Sequence, residues 1–102
     1  MSIFEGLWDV IIVTPIGNIA VVFDITELDG EIHGTARSEA ETVDFVDAVA
    51  DGNRLTWTQA VTTPMKLNLK FDITVEGDSI TGSSSSGVFP ASQLMGTRSS
   101  QR

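Results

Sequence analysis

The chain has 102 residues, enough for one domain and one core, with no cysteine and a formal net charge of −8 from 14 acidic and 6 basic residues. These figures exclude a disulfide framework and a thiolate site, and the acidity argues against nucleic acid and anionic membranes as partners, because both are held through Lys and Arg. No apolar run approaches the ~20 residues that span a bilayer, and Met1-Ser2-Ile3-Phe4-Glu5 lacks the basic start and apolar run of a signal peptide, so a cytoplasmic address is expected.

Alternation with a period of two dominates the chain, which predicts strands and no helix. Eight are expected, over about 6–14, 17–28, 31–38, 42–50, 53–62, 65–76, 79–86 and 92–99. The connections are short and carry turn residues: Pro15-Ile16-Gly17, Asp29-Gly30, Glu39-Ala40-Glu41, Asp51-Gly52-Asn53, Thr63-Pro64, Gly77-Asp78 and Gly87-Val88-Phe89-Pro90. Short turns join antiparallel neighbours. The expected fold is therefore all-β, an eight-stranded antiparallel up-and-down β-barrel, which also removes exposed sheet edges.

The chain also repeats itself. Trp8 and Pro15 recur 49 positions later as Trp57 and Pro64, and Phe23-Asp24-Ile25-Thr26 recurs 48 positions later as Phe71-Asp72-Ile73-Thr74. An internal two-fold sequence repeat in a chain this short implies a single domain of two similar halves, about 6–50 and 53–99.

The sixth strand sets the facing. Met65, Leu67, Leu69, Phe71, Ile73 and Val75 share one face, which must be the interior, and Lys66, Asn68, Lys70, Asp72 and Thr74 share the other. The repeat carries this parity to Ile19, Val21, Phe23 and Ile25, to Trp8, Val10 and Ile12, and to Leu55, Trp57, Gln59 and Val61. The inward positions of strands three and seven are Ile32, Gly34, Ala36 and Ser38, then Ile80, Gly82, Ser84 and Ser86, and beyond the isoleucines they are small. An eight-stranded barrel either fills with side chains or holds one small ligand. Two walls of small residues favour a cavity, and the alternative is that the large aromatic residues fill the gap. Strand four reads in two phases: one turns Val43, Phe45, Asp47 and Val49 inward, the other Val46, Ala48 and Ala50. The first is preferred because it buries Phe45.

Gly6-Leu7-Trp8 at the head of the first strand and Gly96-Thr97-Arg98 near the end of the last resemble the Gly-X-Trp start and closing Arg of lipocalin-like and avidin-like (calycin-type) barrels. The resemblance spans roughly residues 6–98. It implies a barrel whose narrow end is closed by Arg98 across Trp8, with a small apolar ligand inside. It does not imply the avidin ligand, since there is no tyrosine. The mouth is then expected at the Pro15/Pro64 end, with Val88-Phe89-Pro90 as an apolar lip.

Comparing the halves isolates the polar departures among inward positions: Gln59 for Val10, Ser84 for Ala36, and Asp47 in the preferred phase of strand four. Buried polar groups need partners, so these are candidates to orient a ligand or to form a small internal network. Phe45, Trp57, Gln59, Leu67, Leu69, Phe71 and Ser84 are the ligand-binding candidates. Asp47 is the one candidate acid or base, on the premise that burial raises its pKa. The only histidine, His33, takes the outward phase, and no metal site or cofactor motif is expected.

Outside, Ile11, Val13, Ala20 and Val22 form an apolar patch whose counterparts in the second half are Ala60, Thr62, Asn68 and Lys70. Such a patch fits a two-fold homodimer. Three functions follow: binding of a small apolar or aromatic molecule, a cofactor-free isomerase or cyclase in the same pocket, and an interaction module acting through the dimer face.

Overall fold

The structure is a computed structural model, and it describes residues 3–15, 17–39, 41–61, 67–86 and 89–99. The strands are β1 (Gly6–Thr14), β2 (Gly17–Leu28), β3 (Glu31–Arg37), β4 (Thr42–Asp44), β5 (Val46–Asp51), β6 (Arg54–Val61), β7 (Leu67–Glu76), β8 (Ser79–Ser86) and β9 (Phe89–Arg98). They form one antiparallel sheet in the order β4-β3-β2-β1-β9-β8-β7-β6-β5, an up-and-down meander rolled into a nearly closed barrel. Each strand pairs with its chain neighbours, except that β4 and β5, which lie at the two margins, do not pair with each other, and the first and last strands, β1 and β9, do.

Nine strands replace the expected eight because the stretch 42–51 changes partner. β4 pairs with β3 and β5 pairs with β6. At the join, the Phe45 N–H donates to the Gly34 carbonyl at 2.8 Å, and the Thr58 hydroxyl donates to the Val46 carbonyl at 3.3 Å. One bent segment thus bridges the two margins of the sheet. A bulge follows, because Val46 lies opposite Thr58 and Val49 opposite Thr56, three residues against two. Asp47 takes up the extra residue with φ of 54°, a left-handed conformation that Asp tolerates better than most residues.

The bulge joins the two phases that the sequence offers for this strand. Phe45 packs on the core before it and Ala48 packs on the core after it. Asp47 falls between them and is exposed, so its expected burial is corrected: the extra residue turns it into water. The start of the last strand is corrected as well. β9 begins at Phe89, and Pro90 belongs to it rather than to the preceding loop. The Thr63-Pro64 turn, Met65, Lys66 and Val88, and the side chains of Val61, Leu67 and Phe89, lie outside the described residues.

Elsewhere the alternation holds. Trp8, Val10 and Ile12 on β1, Val21, Phe23 and Ile25 on β2, and Leu55 and Trp57 on β6 are buried. Trp8 lies opposite Phe23, and Trp57 lies opposite Phe71. The turn Asp29-Gly30 has positive φ at both residues, 53° and 82°, the type I′ geometry whose twist suits a two-residue hairpin.

Candidate functional site

The two ends of the barrel differ. At the end that holds the chain termini, Phe4, Trp8, Ile25, Leu55, Ile73 and Ile80 are all buried. The Trp8 indole N–H donates to the Phe4 carbonyl at 2.8 Å, and the Arg98 guanidinium lies 4.2 Å from the centre of the Trp8 ring. Arg98 also donates to the carbonyls of Glu5, Ile3 and Gly77 and to the Asp78 carboxylate. A cation over the indole face, held by backbone acceptors, ties the segment before β1 to the β7–β8 turn. Phe4 belongs to this plug and was not among the expected core residues. The apolar pair Ile3-Phe4 just before Gly6 was the signal for it.

At the opposite end the inward row thins out. Ile19, inward by parity and expected inside, is 43% exposed, because it sits on the last inward row of β2, where no described residue forms a further layer. Leu69 on β7, Ser92 on β9 and Ser38 just after β3 are half-buried. Among the described residues, the Pro15 end is therefore the less covered, more open half of the barrel.

Between the ends lies an aromatic cluster. The rings of Phe45 and Trp57 stack at 4.0 Å between centroids and 11° between planes, and those of Trp57 and Phe71 at 5.1 Å and 4°. Phe23 stands edge-on to all three, at 5.7, 5.2 and 5.9 Å. Stacked and edge-to-face geometries are the favoured ones for aromatic quadrupoles. The faces of Phe45, Trp57 and Phe71 that would hold an apolar ligand thus rest largely on one another. The small residues of the walls serve this packing. A Cβ at Gly34 would fall 2.6 Å from two carbons of the Phe45 ring, so Gly34 makes the place for that ring. A Cβ at Gly82 would run into the Asp72 carbonyl oxygen and lie 2.8 Å from the Ile73 Cα. The expectation that these glycines open space is corrected: ring and backbone take it up.

Two buried polar side chains stand above this floor. Gln59 is 6% exposed and Ser84 is 7% exposed. The Trp57 indole N–H donates to the Gln59 Oε1 at 2.9 Å. Among the described residues, the Gln59 amide nitrogen and the Ser84 hydroxyl have no protein partner. No fully enclosed side-chain polar atom there lacks one either. Both groups therefore keep a little accessible area rather than being fully enclosed. Ser84 lies opposite Phe71 on one side and Ser92 on the other, and Gln59 lies opposite Leu69. Ser92 was missed as an inward residue, although the spacing Ser92, Leu94, Gly96 carried the signal.

Other candidates fall outside this site. Asp47 is exposed on the bulge, away from the interior face. His33 is exposed, with its Nε2 3.6 Å from a Glu31 oxygen. The bidentate pair of Arg54 with Asp72 is a surface feature, and its hydrogen bond holds the Asp72 carboxyl below the usual range. Among the described residues, no three His, Cys, Asp or Glu side chains assemble, and no helix is long and apolar enough to cross a membrane.

On the outside, Ile11 and Val13 are exposed on β1, beside Ala20 on β2 and Met95 on β9, with Ile11 directly opposite both Ala20 and Met95. Val22 is half-buried next to them. An open surface groove of about 370 Å³ runs along this patch, bordered by Asp9, Arg37 and Glu39. The outer faces of β6 and β7 instead carry Thr56, Thr58, Asn68, Lys70 and Asp72. No family model matches the chain, and no curated protein matches it in sequence.

Proposed function

We propose that the protein binds a small, predominantly apolar molecule in the open half of its barrel. The observation that carries this is a pair of largely buried polar residues, Gln59 and Ser84, whose amide nitrogen and hydroxyl have no protein partner among the described residues, beside an apolar aromatic floor. Concave apolar sites with a few convergent polar groups are the usual form of small-molecule sites. The nearly closed antiparallel barrel is compatible with the calycin shape, and the Arg98–Trp8 contact supports the likeness to lipocalin-like and avidin-like barrels. The recurring Trp and Phe-Asp-Ile-Thr segments support reading the barrel as two related halves. The isomerase or cyclase reading is weaker, because Asp47, its proton carrier, stands in water.

Titration of labelled protein with 2-ethylnaphthalene tests the binding reading. The expected amide shifts concentrate at Gln59, Leu69 and Ser84, and Ser84→Phe, which fills the space, abolishes them. Shifts confined to Asp9, Arg37 and Glu39 in the outer groove would sink it.

We further propose that the patch around Ile11 is covered by a second copy of the chain. In a protein of net charge −8 most faces repel a copy. This one has an uncharged apolar centre and carries Arg37 beside Asp9 and Glu39, so a two-fold arrangement can set base against acid. Sedimentation at micromolar concentration should show a dimer, and Ile11→Lys should convert it to monomer with the fold retained. A wild-type monomer under those conditions removes the proposal.

A further inference from the structure

We infer that the open half of the barrel takes an uncharged ligand bearing an oxygen acceptor, a ketone, lactone or amide carbonyl, with that oxygen received by the Gln59 amide. This deepens the binding reading above and rests on it.

The orientation of Gln59 follows from its partner. An indole N–H only donates, so the side-chain atom 2.9 Å from it must be the carbonyl oxygen. The amide NH2 is thereby directed away from Trp57. It is a pure donor on a residue only 6% exposed, is not itself fully enclosed, and has no acceptor among the described residues. A donor in that setting is matched by an acceptor on the ligand, and a ligand offering only C–H or N–H would leave it unmet. Trp57 is itself held on both faces by Phe45 and Phe71, so the donor is fixed before a ligand arrives.

The neighbouring positions set the charge. Leu69, Ser84, Ser92, Leu94 and Ile12 share the interior face around Gln59, and none is ionisable. A carboxylate there would lose its hydration without gaining a cationic partner among the described residues, and the net charge of −8 adds long-range repulsion. The polar groups also lie to one side. Gln59, Ser84 and Ser92 belong to β6, β8 and β9, whereas Val10 and Ile12 on β1 and Val21 on β2 present only hydrocarbon. The matching ligand has one polar edge and an apolar body.

Three probes of one shape test this: 2-acetonaphthone, 2-ethylnaphthalene and 2-naphthoate, titrated at pH 7 into the intact chain and followed by the side-chain N–H signals of Gln59 and Trp57. The ketone should bind about tenfold more tightly than its ethyl isostere, the worth of one neutral hydrogen bond. It alone should shift the Gln59 NH2 signals strongly, and the naphthoate should bind at least about tenfold more weakly than the ketone. In Gln59→Leu the ketone preference should vanish while the ethyl compound still binds. Equal affinity of ketone and ethyl compound, or a preference for the naphthoate, overturns the acceptor assignment and leaves the binding site standing. If none of the three binds the wild-type protein, the binding reading itself falls.

Discussion

Trp57→Ala is expected to lower stability by about 3–5 kcal/mol, the range for truncating a large buried aromatic side chain. Trp57 is 1% exposed and stacks on Phe45 and Phe71, with Phe23 against its edge. Removing it leaves a cavity bounded by rings that are themselves held by strands, so the site relaxes little. It also strips the Gln59 carbonyl of its donor, adding the cost of an unmet buried acceptor. Since single domains of this size have only about 5–15 kcal/mol in hand, the variant should be near its folding threshold. Urea denaturation followed by circular dichroism measures this. Val49→Ala, at an exposed position on β5, is the control and should stay within about 0.5 kcal/mol of wild type. A Trp57→Ala loss below about 1 kcal/mol would show that the aromatic cluster does not hold the barrel together.

Gly82→Ala is expected to cost about 3 kcal/mol, at the upper end of the usual range for overpacking. The added Cβ meets backbone, the Asp72 carbonyl oxygen and the Ile73 Cα of the neighbouring β7. Backbone within a paired ladder can yield only by opening hydrogen bonds, and β8 is paired on both sides here, with Ile73 and with Leu94. Gly34→Ala should cost clearly less. Its Cβ meets the rim of the Phe45 ring, which can turn aside, although that ring helps close the barrel. A reversed order, with Gly34→Ala the more damaging, would show that the seam at Phe45 limits stability more than the close approach of β7 and β8. Thr81→Ala, exposed on the same strand, is the control.

The two glycines also show where sequence reasoning stops. As repeat positions they read alike, small inward residues that leave room. In the folded chain one receives an aromatic ring from the join between β4 and β5, eleven residues away, and the other lies against the backbone of its neighbour. Neither contact is encoded at the glycine itself. The same holds for Phe45. Strand alternation offered two exclusive phases around it, and a bulge reconciles them, at the point where the strand leaves β3 for β6. A choice between partners depends on where both margins of the sheet lie in space, which no local pattern states.

The candidate site was partly legible. The departures from the repeat, Gln59 for Val10 and Ser84 for Ala36, drew attention to two positions that the structure places buried inside the barrel. Their chemistry was not legible. That Gln59 gives its oxygen to Trp57 and keeps its amide free depends on a contact between side chains two residues apart on one strand face. That Asp47 is no interior acid depends on the bulge.

By itself, then, the sequence determined the strand-rich class, the meander with its short turns, and which side of most strands faces inward. A period of two and a set of turn residues are local properties, written wherever the chain is read. The tertiary structure alone decided how the barrel nearly closes, which small residues are filled by neighbours, and which atom of Gln59 meets Trp57. Those depend on how strands and side chains meet in space, where packing excludes all but one arrangement.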